Sequence, residues 1–166
     1  MAVHVADFEK DYDHPLTLVE AAVMARGWTA ERTSVDELVA EVTGAWAEYQ
    51  LLFAWREDIA ALHVTCAFDA RVPVERKAET FELLALVNDR LWVGHFDVSG
   101  PERLPAFRHS LLLRGGILSP EQLEDLVDIA LGEVDRFYPA FHYVVWGDRA
   151  PADALAATMM VPAGEA

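Results

Sequence analysis

The stretch from Trp46 to Asp69 alternates twice, and no other feature of the chain constrains the fold as tightly. In WAEYQLLFAW, residues 46–55, Tyr49, Leu51, Phe53 and Trp55 fall on one face of an extended strand, while Glu48, Gln50 and Leu52 fall on the other. In IAALHVTCAFD, residues 59–69, Ala60, Leu62, Val64, Cys66 and Phe68 share one side, and Ala61, His63, Thr65 and Ala67 take the opposite one. A turn at Glu57-Asp58 separates the two runs. So short a link permits a hairpin and no crossover, which makes the pair antiparallel. One face is apolar and the other mixed. Such a sheet needs helices on its apolar side and leaves the other side open.

The flanking segments supply those helices. Pro15 opens a pattern in which Leu16, Val19, Ala22 and Val23 recur at helical spacing up to a stop at Gly27. ELVAEVTG, ending at Gly44, reads as a short strand. VPVERKAETFELLALVNDRLW predicts a second helix with Pro73 near its start and an apolar face of Val74, Ala78, Phe81, Leu84, Ala85 and Asn88. Asn88 is expected to satisfy backbone groups near the helix end. LWVGHFDV and AFRHSLLLR predict two more strands, separated by Ser99-Gly100-Pro101. A last helix begins at Pro120 and runs to about residue 137 or beyond, with Pro139 expected to kink or end it. FHYVVW keeps helical spacing at Phe141, Val144 and Val145, with a strand as the second choice. The predicted class is α+β: one antiparallel sheet with helices packed on one face, in the order α-β-β-β-α-β-β-α. No repeat and no linker divides the chain, so residues 1–147 read as a single domain. Residues 148–166 read as a loose tail and residues 1–13 as a frayed start. With 53% of its residues hydrophobic, the chain can fill the core this architecture requires.

LLLRGGILSPEQLEDL, residues 111–126, is the stretch most like a phosphate cradle: strand, glycine pair, helix start. Its residues argue against that use. Ser119 fits the N-cap, Pro120 the first helical position, and Gln122 completes a capping box, with Leu118 and Leu123 spaced as a hydrophobic staple. The helix-start N–H groups therefore have local partners, and Glu121, Glu124 and Asp125 already complement the helix dipole. No Gly-x-x-x-x-Gly-Lys string is present. Gly115-Gly116 is read as a turn needing positive φ. Asp128 extends the acidic set at helical spacing, and no basic residue lies between 120 and 135. This stripe is either a solvated face or a docking face for a basic segment.

Chemistry-bearing residues are sparse. The one cysteine, Cys66, alternates with Val64 and Phe68 and reads as core, so intrachain disulfides and Cys-x-x-Cys chemistry are excluded. The histidines at 4, 14, 63, 95, 109 and 142 form neither His-x-x-x-His nor His-Glu-x-x-His. His63, His95 and Asp97 fall on the less buried sheet face, and a metal or acid–base site there is the enzymatic alternative. His109 and Ser110 are adjacent on a strand, face opposite ways and cannot pair as base and nucleophile. A net charge of −15, from 28 acidic and 13 basic side chains, repels nucleic acid and anionic lipid. The first residues, MAVHVADFEKDYDHP, carry no secretory pattern, and no apolar stretch approaches the roughly 18 residues of a spanning helix. The expectation is a cytoplasmic protein without a cofactor, a nucleic-acid partner or a membrane.

Three stretches carry a family resemblance: PLTLVEAAVMARGW, RKAETFELLALVNDRLWVGHFDV and FRHSLLLRGGILSPEQLEDLVDIALGEVDRFYPAF. Across residues 15 to 146 the chain resembles the YbjN-like family of bacterial sensory transduction regulators. The resemblance implies a fold like the type III secretion chaperones, commonly dimeric, with no catalytic residues and a regulatory role tied to stress and motility. On these grounds the chain is expected to be a non-enzymatic regulator or chaperone-like adaptor, with a dedicated secretion chaperone as the rival. Its expected contact residues are Leu52, His63, Trp92 and His95 on the open sheet surface and Glu121, Glu124, Asp125 and Asp128 on the last helix. The expected partner is a protein offering a basic or extended segment, together with a second copy of the chain.

Overall fold

The structure is a computed structural model that describes residues 14–114 and 117–160. The double alternation builds its centre. Strand β3 (Glu48–Arg56) pairs antiparallel with β4 (Ala61–Phe68), Phe53 opposite Val64 and Leu52 opposite Thr65. A 3-10 turn over Glu57–Ile59 joins them, with Ala60 at φ +48 closing the corner. On one side of β3 stands β2 (Glu37–Thr43), then β1 (Thr29–Ser34). On the far side of β4 stands β6 (Leu104–Leu112), then β5 (His95–Ser99). The six strands run in the order β1-β2-β3-β4-β6-β5, each antiparallel to its neighbour.

All helices cover the apolar face. Helix α1 (Pro15–Ala25) buries Leu16, Val19 and Val23, and Gly27 follows its end at φ +77. Helix α1 and helix α2 (Lys77–Asn88) each pack against the long α3 (Pro120–Val145), and α4 (Pro151–Met160) lies against both α2 and α3. The core between the layers holds Leu51, Phe53, Leu62, Val64, Phe68, Phe96, Phe107, Phe137 and Phe141, all nearly or fully buried. Phe96 touches Phe107, Phe137 and Phe141 with ring centroids 5.3–5.8 Å apart. The α+β class, the antiparallel sheet and the one-sided helices are as the sequence predicts.

Three expectations are corrected. Strand β1, TAERTS, was not expected, because it is an edge strand in which only Ala30 and Arg32 are partly covered and no apolar alternation marks it. The buried face of α2 is Thr80, Leu83 and Val87, whereas Val74 and Phe81 are 62% and 47% exposed. That helix has apolar residues on both sides, so spacing alone does not choose. Thr80 tolerates burial because its hydroxyl donates to the Arg76 carbonyl at 2.7 Å. The segment from Asp148 is not loose: α4 buries Ala154, Leu155 and Thr158. Arg76 holds its approach, donating to the Val144 carbonyl at 2.9 Å and to the carboxylates of Glu79 and Asp148 at 3.2 and 3.0 Å. The expected turn at Gly115-Gly116 and the frayed start lie outside the described residues.

The capping box at Ser119 forms in full: Ser119 Oγ accepts from the Gln122 N–H, and Gln122 Oε1 accepts from the Ser119 N–H. At the other end, α3 passes through Pro139 unbroken to Val145. Proline has no N–H, so the carbonyl four residues earlier, that of Asp135, loses its helical donor. The Trp46 indole takes that place, donating to the Asp135 carbonyl at 2.8 Å. The Asp135 carboxylate accepts from the Ala45 N–H at 2.9 Å and from the Tyr49 hydroxyl at 2.7 Å. Burial first, and then this carboxylate, push the Tyr49 phenol far above its ordinary value. A Cβ at Gly44 would collide with the Tyr49 ring, so the β2–β3 turn needs glycine there. We expect Trp46→Phe to lower stability by about 1 kcal/mol, since one acceptor loses its donor. Adding Pro139→Ala should recover part of that loss by restoring the helical N–H, as measured by urea denaturation of the two variants.

Candidate functional site

Register decides which side chains meet on the open face. Directly opposed residues share a face, so the central row runs Glu31, Val39, Leu52, Thr65, Arg108, His95 from β1 to β5. A second row runs Glu37, Ala54, His63, Ser110, and a third runs Glu41, Gln50, Ala67, Ala106, Asp97. Leu52 and His63 are half-buried and His95 is exposed. Three of the four expected sheet residues therefore lie on this face. Trp92 does not: it is 98% exposed on the loop between α2 and β5. Asn88 holds β5 beside that loop, its amide donating to the Phe96 carbonyl at 3.0 Å and its carbonyl accepting the Phe96 N–H at 2.7 Å.

His63 and His95 do not converge, because β6 stands between their strands and places Arg108 there. Arg108 Nε donates to His63 Nε2 at 3.3 Å, and its Nη1 donates to Asp97 at 3.1 Å. The Thr65 hydroxyl also reaches His63 Nε2, at 3.2 Å. An Nε2 that accepts carries no proton, so Nδ1–H is the donor to Ser110 Oγ, 2.6 Å away. That tautomer cannot take a proton from Ser110 through Nδ1, so the pair lacks the arrangement of a nucleophile and its base. His109 stands opposite Val64 on the helix side, away from Ser110, as strand alternation requires. Among the described residues no three His, Cys, Asp or Glu side chains cluster closely enough to hold a metal. Cys66 is fully buried, and burial pushes its thiol up to about 12.

The second surface lies at the end of α1. There Ala22 and Arg26 face Leu123, Glu124 and Val127 of α3, with Trp28 beside them, around a groove of about 270 Å³. Arg26 stacks over the Trp28 ring at 5.1 Å and donates to Asp128 at 2.8 Å. Glu121, Glu124, Asp125 and Asp128 are all exposed on α3, as its spacing predicts. Asp128 has a cation after all, supplied from another helix and thus invisible in the 120–135 segment. Sequence reasoning missed Arg26, Trp28 and Arg108, and it weighed Ser110 only against its neighbour His109, not against His63. The charge of Arg26 and Arg108 was the available signal, but only the packing of α1 and the order of strands give it an address.

The family model described as "Putative bacterial sensory transduction regulator" matches residues 15–142. The chain belongs to the YbjN family. The crystal structure of YbjN from E. coli, "a putative transcription regulator", aligns at a TM-score of 0.53 and 11% identity, covering 72% of this chain and 85% of that one. At that identity the likeness is one of fold. No curated protein matches the sequence. The matched span covers the whole sheet and reaches into the C-terminal part of α3, while α4 lies beyond it. Among the described residues no helix is long and apolar enough to cross a membrane.

The open-face network has a consequence for pH. Burial first, and then the charges of Arg108, His95 and His109, hold the His63 imidazole below its ordinary range. The unfolded chain therefore binds a proton at this position more readily than the folded one. Stability from His63 remaining neutral is present above the ordinary histidine range and is lost as pH falls through it toward the lower folded value. We expect the loss of stability between pH 7 and pH 5 to be shallower in His63→Gln than in the natural chain. Parallel denaturant titrations with equal losses would exclude this role.

Proposed function

We propose that this YbjN-family protein is a non-enzymatic cytoplasmic regulator that works as a chaperone-like adaptor, holding an extended, basic segment of another protein. The family description supports regulation. The observation that carries the docking reading is the α1–α3 groove. Its floor is apolar, from Ala22, Leu123 and Val127, while Trp28 offers an aromatic wall, Glu124 a carboxylate at the rim, and Arg26, also in the lining, is taken up by Asp128 at 2.8 Å. Glu121 and Asp125 continue the negative charge along the same helix. An extended segment with alternating apolar and basic residues matches both features: apolar groups enter the groove, and cations meet the acidic rim. The chain's overall charge of −15 speeds the encounter with such a partner and repels nucleic acid.

The polar groups elsewhere are engaged in structure. His63, Thr65, Arg108, Asp97 and Ser110 bond to one another, and Asp135 ties a turn to a helix. The reading is tested by titrating labelled extended peptides, basic and apolar in alternation, into the full chain and recording fluorescence anisotropy. The natural chain should bind, with affinity falling as salt rises. Glu124→Lys with Asp125→Lys should weaken binding at least tenfold, and Trp28→Ala should weaken it without altering the salt dependence. Binding that is unchanged in both variants overturns the docking reading.

A further inference from the structure

Helix α1 ends in Arg26-Gly27-Trp28, and that end decides what lies over the groove. Gly27 takes φ +77, its N–H donates to the Met24 carbonyl at 3.0 Å, and the Trp28 N–H donates to the Val23 carbonyl at 3.3 Å. These are the bonds of a glycine-closed helix end, and they fix the backbone on both sides of the turn. Arg26 and Trp28 both line the groove, and the Arg26 guanidinium lies 5.1 Å from the centre of the Trp28 ring. Its Nη1 donates to Asp128 at 2.8 Å. An aromatic face and a carboxylate are the partners that recognise a guanidinium. The groove thus already holds one, and it comes from the chain itself.

We infer that Arg26 is a stand-in: an arginine of the docked segment takes its place between Trp28 and Asp128, and the groove selects arginine over lysine. The inference rests on the docking reading of the groove and adds which residue is read there. Arg26 is held weakly enough to leave. Its pair with Asp128 is open to water, the carboxylate side chain being 66% exposed, and pairs of that kind contribute little. A cation on a partly exposed indole adds a similarly small amount. The Arg26 N–H bonds to the Ala22 and Val23 carbonyls, so the helix end stays closed when the side chain swings out. Its departure uncovers the face of Trp28, the aromatic wall that the docked segment needs.

An incoming arginine has a partner that Arg26 leaves unused. Glu124 lines the groove one helical turn before Asp128 and has no ion-pair partner among the described residues. Residues four apart on a helix are neighbours, with Cβ atoms about 5–6 Å apart. The five N–H donors of a guanidinium can address both carboxylates while its plane stays against the indole. A lysine ammonium is a point charge with no plane to lay on Trp28. Exchange therefore gains a carboxylate when the newcomer is arginine and loses the flat contact when it is lysine. Asp128 changes partner in this exchange and is not counted as free charge. The charge that draws the segment in is that of Glu121, Glu124 and Asp125.

Two labelled peptides of equal length and charge, one alternating valine with arginine and the other valine with lysine, test the inference on the full chain by fluorescence anisotropy. The natural chain should bind the arginine peptide about fivefold tighter, since a stacked contact and a second charge-assisted bond are at stake. Arg26→Lys keeps the charge and weakens the stand-in, so it should bind the arginine peptide about threefold tighter than the natural chain does. Asp128→Asn removes one wall of the seat and should bring the two affinities close together. In proton–nitrogen correlation spectra, the Arg26 Nε–H signal, identified by its absence from Arg26→Lys, should lose its ring-current shift as the arginine peptide saturates the chain. Circular dichroism separates lost binding from lost folding. If the peptide saturates while that signal stays in place and Arg26→Lys binds no tighter, the segment docks beside Arg26: the stand-in is excluded and the groove reading survives. Equal affinities for the two peptides exclude the selection of arginine. If neither the natural chain nor Arg26→Lys binds the arginine peptide, the groove and the stand-in fall together.

Discussion

Asp135 is where the two layers of this molecule are bolted together. Apolar packing between a sheet and its helices is strong, but the hydrophobic effect behind it has no direction. The bonds around Asp135 fix one position. Its carboxylate takes the Ala45 N–H and the Tyr49 hydroxyl, and its carbonyl takes the Trp46 indole. The carbonyl is available because Pro139 sits one turn later in the same helix. A residue usually disruptive inside a helix here frees an acceptor for the β2–β3 turn. With α3 set in register, its acidic edge and its half of the α1 groove are set as well.

The legible parts of the sequence were those where one local rule decides. The β3–β4 hairpin needed only alternation and a short link, and the start of α3 only a serine, a proline and a glutamine at the right spacing. What failed needed tertiary information. TAERTS forms β1 because β2 offers it an edge, and no apolar pattern marks it. Helix α2 turns Thr80 inward and Phe81 outward because neighbouring helices choose between two comparable faces. The alanines and proline of α4 suggested a loose end, yet their small side chains suit a helix seated closely on two others. In the candidate site, alternation was enough to place Leu52, His63 and His95 on the open face. The role of Arg108 depended on β6 inserting between β4 and β5, an order that no pairing of consecutive strands contains.

The two faces of the sheet illustrate a division of labour. The helix side is apolar and nearly sealed, and even the tyrosine there satisfies its hydroxyl. The open side keeps its polar groups bonded to each other in the plane of the sheet, leaving Glu31, Glu37, Glu41 and Glu48 toward one edge and a self-paired Arg108–Asp97 cluster toward the other. Such a surface can be wetted and still recognise a complementary one, because no buried group is left unpaired when it separates. The helix-side groove is built differently, from an apolar floor with an aromatic wall.

Cys66 sits on the sealed side of β4, wholly enclosed, with its thiol pushed up to about 12. It is the one cysteine in the sequence. At neutral pH its thiolate fraction is negligible, so Cys66 offers peroxides and oxidised glutathione almost no nucleophile. Oxidative stress is therefore a signal this chain does not read through its cysteine; the sulfur it leaves within reach of an oxidant is the thioether of Met24, Met159 and Met160, all exposed.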